Sequence, residues 1–369
     1  MMRATRWVGM AGVPLIVAAC AHKPPPDFAP DPGLVARIQE IRMDTPPSVC
    51  PGRPIVASYV AVLDDGSELP FATRYDRDQP PALHVVFLTR YSPTAVALEN
   101  GNWSTADDPL RSALEGFRLR AILRARPGLI AEAVVPPTYE CTPHVFEFEG
   151  APGDRGAAGG PGPDVTARLA VLSSPFVERL LVAEFTVEAA PPAYLLADVD
   201  AIPPADWLVV VARGGDGGRG ADGARGAKGA AGVAGCPGTP GGAGGAGGNG
   251  APGGPGGRGG RVTVIVPDSD PFLAGLVEAR SEGGEGGAGG RAGKGGAGGD
   301  GGAAQGDTRR CDAGPRGANG PDGRPGADGP RGAPGTRPQV ITVPAAGIFG
   351  SRMRPELAAL INYHQGEQR

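Results

Sequence analysis

Gly214-Gly215-Asp216-Gly217-Gly218-Arg219-Gly220-Ala221-Asp222-Gly223-Ala224-Arg225-Gly226 opens a run in which glycine holds every third position without a miss as far as Gly259. The period returns from Gly284 to Gly302 and from Gly314 to Gly335. A three-residue glycine period describes a left-handed extended helix with three residues per turn, one face of it bare backbone. Such a helix has no internal hydrogen bonds, so its polar groups must find partners on neighbours of the same kind.

Working outward, Pro237-Gly238-Thr239-Pro240 is the densest turn signal inside the longest run. A bend there leaves segments 214–235, 241–261, 284–304 and 314–337, of 22, 21, 21 and 24 residues. At about 3.1 Å per residue each spans roughly 65–75 Å, a match that antiparallel neighbours in one bundle require. Following the chain up and down places Cys236 and Cys311 together at a tip. It places the strand-like stretches 207–213, 261–266, 276–281 and 339–343 at the base, where they are expected to form one small antiparallel sheet. In 241–261 and 284–304 most triplets carry a second glycine, as segments with neighbours on two sides need. In 314–337 none does and five prolines appear, which suits an outer position. Phe272 is the one aromatic residue between 214 and 337, so cohesion must come from backbone contacts.

The glycine-paced region, roughly 214–337, resembles the polyglycine II bundles of glycine-rich antifreeze proteins and of some phage tail-tip adhesins, and also bacterial collagen-like proteins. The resemblance implies the helix type; it leaves function open. A single chain folded back on itself is expected as a monomer. The alternative is an intermolecular collagen triple helix, a homotrimeric stalk. The doubled glycines and the breaks between segments speak against it.

Upstream, residues 34–148 read as a β domain. Ile55 to Leu63 and Leu83 to Thr89 are apolar runs, and Asp64-Asp65-Gly66-Ser67 is a turn. Phe117, Leu119, Ala121 and Leu123 alternate with Arg118, Arg120, Ile122 and Arg124, the period of a half-buried strand. The layout resembles bacterial immunoglobulin-like modules. A short glycine excursion follows over 149–164, then a second β layer over 165–206. The glycine-rich region with its base sheet occupies 207–343, and a C-terminal helix lies within 344–369, with Leu357, Leu360 and Ile361 on one face. The expected fold class is mostly β plus polyglycine II: an immunoglobulin-like β-sandwich, then an antiparallel bundle of glycine-rich left-handed helices.

The chain begins like an export signal over 1–19, with Arg3 and Arg6 before the apolar run Trp7 to Ala19. Val17-Ala18-Ala19-Cys20 resembles the lipobox of bacterial lipoproteins, which implies cleavage before Cys20 and lipid on it. Ala21 after the cysteine implies, by that family's sorting rule, the outer membrane. A proline-rich tether follows over 20–33. Lipid on Cys20 makes a membrane the first expected partner, and an unknown surface ligand or envelope protein the second. Four cysteines remain, Cys50, Cys141, Cys236 and Cys311. In an oxidising compartment they are expected to form two disulfides, with three pairings open. Cys50–Cys141 and Cys236–Cys311 keep each pair inside one compositional region.

No residue pattern marks catalysis, a cofactor or a metal. Gly289 to Gly295 has the wrong spacing for a phosphate loop. Cys141 and His144 lack a second ligand pair nearby. Asp64-Asp65 and Asp107-Asp108 sit in turn-like stretches, and a net charge of −4 does not favour nucleic acid. The expected function is a non-enzymatic, lipid-anchored surface structural or adhesion protein of a bacterial envelope. An envelope enzyme with a site in the β domain is the remaining alternative.

Overall fold

The computed structural model describes residues 23–188, 190–306, 311–350 and 353–367. The signal segment and Cys20 lie outside them. Within the described residues the chain forms two compact units.

The first unit comprises the described residues up to Asp107, together with Glu115–Pro137. Asp31 caps α1 (Pro32–Arg37) by accepting from Leu34 N at 2.8 Å. Arg126 closes its other end by donating to the carbonyls of Val35, Ala36 and Ile38. The strands are β1 (Ile38–Asp44), β2 (Ser58–Leu63), β3 (Glu68–Pro70), β4 (Leu88–Tyr91), β5 (Ala95–Ala97), β6 (Trp103–Thr105), β7 (Phe117–Leu123) and β8 (Ile130–Val135). They pair antiparallel as β1-β2-β3, β4-β7-β8 and β5-β6. Alternation does the work in β7: Phe117, Leu119, Ala121 and Leu123 are buried while Arg118 and Arg120 face water. Trp103 fills the centre, and its ring N–H donates to Tyr59 Oη at 3.0 Å. Phe28, in the expected tether, packs its ring against Phe87 and Tyr75, so the ordered chain starts ahead of residue 34.

The second unit holds β9 (Val145–Glu149), β10 (Val165–Leu172), β11 (Leu180–Val187), β12 (Ala193–Asp198), β13 (Leu208–Arg213), β14 (Val262–Pro267), β15 (Val277–Glu282), β16 (Gln339–Val343) and α2 (Pro355–Glu367). One sheet runs β12-β11-β10-β14-β16 and a second β15-β13-β9. Their facing sides share a core that includes Leu169, Phe185, Val264, Leu208 and Val210, with Phe146 stacked on Phe185 at 4.2 Å. The far side of the larger sheet is covered by α2 through Leu357 and Leu360. Leu180 to Phe185 of β11 is therefore buried without a break, as a strand covered on both faces must be.

Three strands of each sheet continue directly into glycine. From the smaller sheet, β9, β13 and β15 run out into 150–156, 214–235 and 283–304. The chain turns and comes back through 157–164, 238–261 and 314–337 into β10, β14 and β16 of the larger sheet. The outgoing limbs form one layer and the returning limbs another. Within a layer neighbours are parallel, as in Gly153 N to Asp216 O (2.8 Å), Gly217 N to Glu285 O (2.8 Å) and Gly244 N to Ala318 O (2.9 Å). Between layers they are antiparallel, as in the chain of bonds Gly254 N to Gly218 O, Gly287 N to Gly254 O and Gly329 N to Gly287 O, each 2.8 Å. Side chains hold packed β-sheets about 10 Å apart; here backbone bonds backbone directly across the gap. At Gly290 an added Cβ would overlap the carbonyl oxygen of Ala221, which is why that position is bare.

The expected fold class is corrected on this evidence. The regular structure is β: sixteen strands in five sheets among the described residues, with only short helices besides. Among the described residues no helix lies between 214 and 270 or between 283 and 338, so a helical bundle is not what the glycines build. The single small antiparallel base sheet is also wrong. The four base strands divide between two sheets, and β13 with β15, and β14 with β16, pair in parallel. The reason is topological. Each glycine hairpin starts in one sheet and ends in the other, so the hairpin-root strands within a sheet run the same way, β10 with β14 and β16, and β13 with β9 and β15, while β11 and β12 pair antiparallel. The stretch 165–206 supplies β10, β11 and β12, which β14 and β16 extend into the five-stranded sheet.

Candidate binding surfaces of the glycine layers

With glycine facing inward, the other residues of each triplet are placed outward at three-residue intervals. The two outer faces differ. On the outgoing layer the exposed residues are Asp216, Arg219, Asp222, Arg225 and Lys228 beside Glu285, Arg291, Lys294 and Asp300. Ion pairs knit this face: Arg219–Asp222 at 3.0 Å and Lys228–Asp300 at 3.1 Å. Asp216 and Asp222 also accept the N–H groups of Glu285 and Arg291, each at 2.8 Å. On the returning layer the exposed residues are mostly alanine and proline: Ala243, Ala246, Pro252 and Pro255 beside Ala318, Pro321, Ala327 and Pro330. Asn249 breaks the row and accepts from Arg324 N at 2.8 Å.

Titration acts on the charged face. The Arg291 N–H bond, with Arg219 nearby, holds the Asp222 carboxyl below its ordinary value, and the Lys228 ammonium does the same for Asp300. A depressed carboxylate stabilises above its unfolded pKa and stops doing so as pH falls through its folded one. The Arg291 amide should therefore lose exchange protection on acidification through that lowered value, and Asp222→Ala should lack the protection at neutral pH.

The two layers are closed at the end away from the sheets. Cys236 and Cys311 are bonded, with Cα atoms 4.9 Å apart. Gly238 N donates to Asp312 O at 2.9 Å, Gln305 N to Gly235 O at 2.9 Å and Thr239 N to Val233 O at 2.9 Å. Cys50 and Cys141 are each half of a disulfide as well. Cys141 is thus engaged as a cystine, and His144 stacks on Trp207 at 5.5 Å. Asp65 serves its turn through Ser67, while Asp108 caps Leu110 N and pairs with Arg354 at 2.7 Å.

The two edges of the layers also differ. Along the limb 314–337, Asn319, Asp322 and Asp328 turn back and accept the N–H groups of Gly298, Gly295 and Gly289 at 3.0, 2.7 and 2.8 Å. Along the limb 214–235, the short hairpin 150–164 covers only the first rows. Elsewhere in this unit a cavity of about 530 Å³ lies beside α2, with Phe349, Met353, Ile361 and His364 among its walls. His364 Nδ1 sits 3.1 Å from Ser173 Oγ.

Sequence reasoning brought Cys236 and Cys311 to one end and missed the faces and edges. The signal for them was present: Val145–Phe148, five glycine triplets and Val165–Leu172 repeat, in miniature, the strand–glycine–strand plan of the longer hairpins. Among the described residues no group of three or more His, Cys, Asp or Glu is placed to hold a metal, and no helix is long and apolar enough to cross a membrane. Comparison with known proteins finds no matching family model, no matching curated protein and no matching solved structure.

Proposed function

We propose that this is a non-enzymatic, lipid-anchored structural or adhesion protein of a bacterial envelope, held at the outer membrane through Cys20. Its glycine layers carry the surface that meets a ligand or another envelope protein. The observation that supports this reading is how the backbone of 214–337 is used. Glycine N–H groups join the limbs into a two-layer lattice, which leaves the non-glycine residues exposed in regular rows. A region built this way presents surface and encloses little. The glycine N–H groups that join the limbs find their acceptors within one chain, which supports a monomer over a three-chain stalk.

Fractionation tests the anchor. Wild-type protein should sediment with outer membranes, and Cys20→Ala should move to the soluble fraction. Sedimentation of Cys20→Ala with membranes would overturn the assignment. Cells making the wild-type protein should also bind sister cells or a surface above the level of cells making Cys20→Ala. Equal attachment would remove adhesion. The mass of the soluble form should be that of one chain; three chains would favour the stalk.

A further inference from the structure

We propose that the open edge of the glycine layers, along Ala221, Ala224, Ala227 and Ala230, is a docking site for an extended segment of another polypeptide with glycine at every third residue. The hairpin 150–164 shows what this edge takes. Gly215 and Gly218 donate to Gly160 O and Ala157 O, each at 2.9 Å, while Gly153 and Gly156 donate to Asp216 O and Arg219 O. On the returning layer Gly159 and Gly162 donate to Pro255 O and Arg258 O. The hairpin then turns, with Ala157 N bonding Asp154 O, and the rows beyond it stand open.

Everything that received the hairpin continues past it in register. Three-residue periodicity aims the N–H groups of Ala221, Ala224, Ala227 and Ala230 as it aims those of Gly215 and Gly218. None of the four has a partner among the described residues, and all four are exposed. The carbonyls of Asp222, Arg225 and Lys228 follow those of Asp216 and Arg219 along the limb and accept no hydrogen bond among the described residues. A cavity of about 410 Å³ between Arg155, Arg219, Ala221 and Asp222 marks where the hairpin stops.

Two further observations point to an incoming chain. Gly254 and Gly257 are bare because a Cβ would overlap carbonyls of the hairpin, those of Ala157 and Gly160. Gly242, Gly245 and Gly248 occupy the same triplet position on the open rows. There the nearest atoms are backbone nitrogens of the neighbouring limb, at 3.2, 3.1 and 2.9 Å. Ala251 takes that position with its own bond, to Ala221 O, intact, so a side chain is tolerated in this row, and of the other three only Gly248 would bring a Cβ within 3.0 Å of the main chain. The opposite edge is also instructive. Asn319, Asp322 and Asp328 plug its N–H groups, the usual defence of an exposed edge. Among the described residues the open edge has no such plug from Ala221 to Ala230; the row ends at Val233, whose N–H is taken by Thr239 Oγ1 at 2.7 Å. Addition of a segment to unpaired backbone is a known route to binding for β-sheet edges, and the same hydrogen-bond argument holds here.

Titrating the full chain with a synthetic peptide that copies residues 284–304 tests the site by amide exchange. The Ala221, Ala224, Ala227 and Ala230 amides should slow by about tenfold at saturation, and a peptide of equal composition with its glycine period scrambled should do nothing. Gly245→Glu should abolish the protection while leaving the melting temperature within a few degrees of wild type. Extending the hairpin 150–164 by two triplets in each limb should protect Ala221 and Ala224 in the absence of peptide. Protection by the scrambled peptide, or free exchange of the four amides at millimolar matched peptide, would overturn the proposal.

Discussion

Gly290→Ala should collapse the stability of the glycine layers. Its new methyl would overlap the carbonyl oxygen of Ala221 and come 3.1 Å from the backbone nitrogen of Ala251. Both obstacles are main chain, and both belong to limbs already bonded to others, so no rotamer change relieves them. Gly290 N donates to Ala251 O at 2.9 Å, and Gly326 N donates to Gly290 O at 2.8 Å. A shift of this limb therefore strains bonds on two sides. Overpacking of a close-packed interior costs roughly 1–3 kcal/mol, occasionally more, and each hydrogen bond lost adds about 1 kcal/mol. An expected loss of about 3–5 kcal/mol would be read as a large fall in the denaturation midpoint. Gly245→Ala is the matched control. Its methyl meets Ala227 N at 3.1 Å, on the open edge. Its backbone has no positive φ, so the change should alter stability by less than about 1 kcal/mol. Equal losses for the two variants would show that glycine acts here through chain entropy and not through close approach.

Cys236→Ser with Cys311→Ser is the second large effect. The bridge joins residues 75 apart in sequence. Releasing a loop of that length from the unfolded chain is worth about 4–5 kcal/mol in the chain-entropy model. The region has little else to offset the entropy of ordering so many glycines. Its cohesion is hydrogen bonds, each of modest net value, and no side-chain core runs through it. Denaturant unfolding of the double variant against oxidised wild type should show the difference, and reduction of wild type should reproduce it. A shift below about 1 kcal/mol would mean that the lattice of N–H to carbonyl bonds holds the end closed unaided.

The period of Gly214 to Gly259 carried most of what could be read in advance. It demanded extended limbs with external partners, and their matched lengths demanded that they lie side by side. The place of Cys236 and Cys311 followed from counting direction along those limbs. Alternation in 117–123 likewise announced β7. Strand partnership was another matter. Val262–Pro267 and Leu208–Arg213 look alike as apolar runs, and nothing in either says that the two belong to opposite sheets. That depends on the hairpin between them crossing from one layer to the other, a long-range fact with no local residue signature. In sequence the hairpin 150–164 reads as a short glycine excursion between two β regions. Its role emerges only when Gly153 and Gly159 are seen bonding the longer limbs. The charged face, the alanine and proline face and the open edge were legible as residue types at each triplet position. Assigning them to a surface needed the register, which the inter-limb bonds supply.

Out-and-back limbs bonded row by row impose a grammar on how such a gene can change. A triplet gained in an outgoing limb leaves one row of donors facing nothing unless its returning limb gains a triplet too. Single-residue insertions are worse, because they rotate every later glycine off the inner face. Length variation among descendants of this sequence should thus arrive as paired multiples of three, symmetric about the turn, with the β-strands at the hairpin roots unchanged.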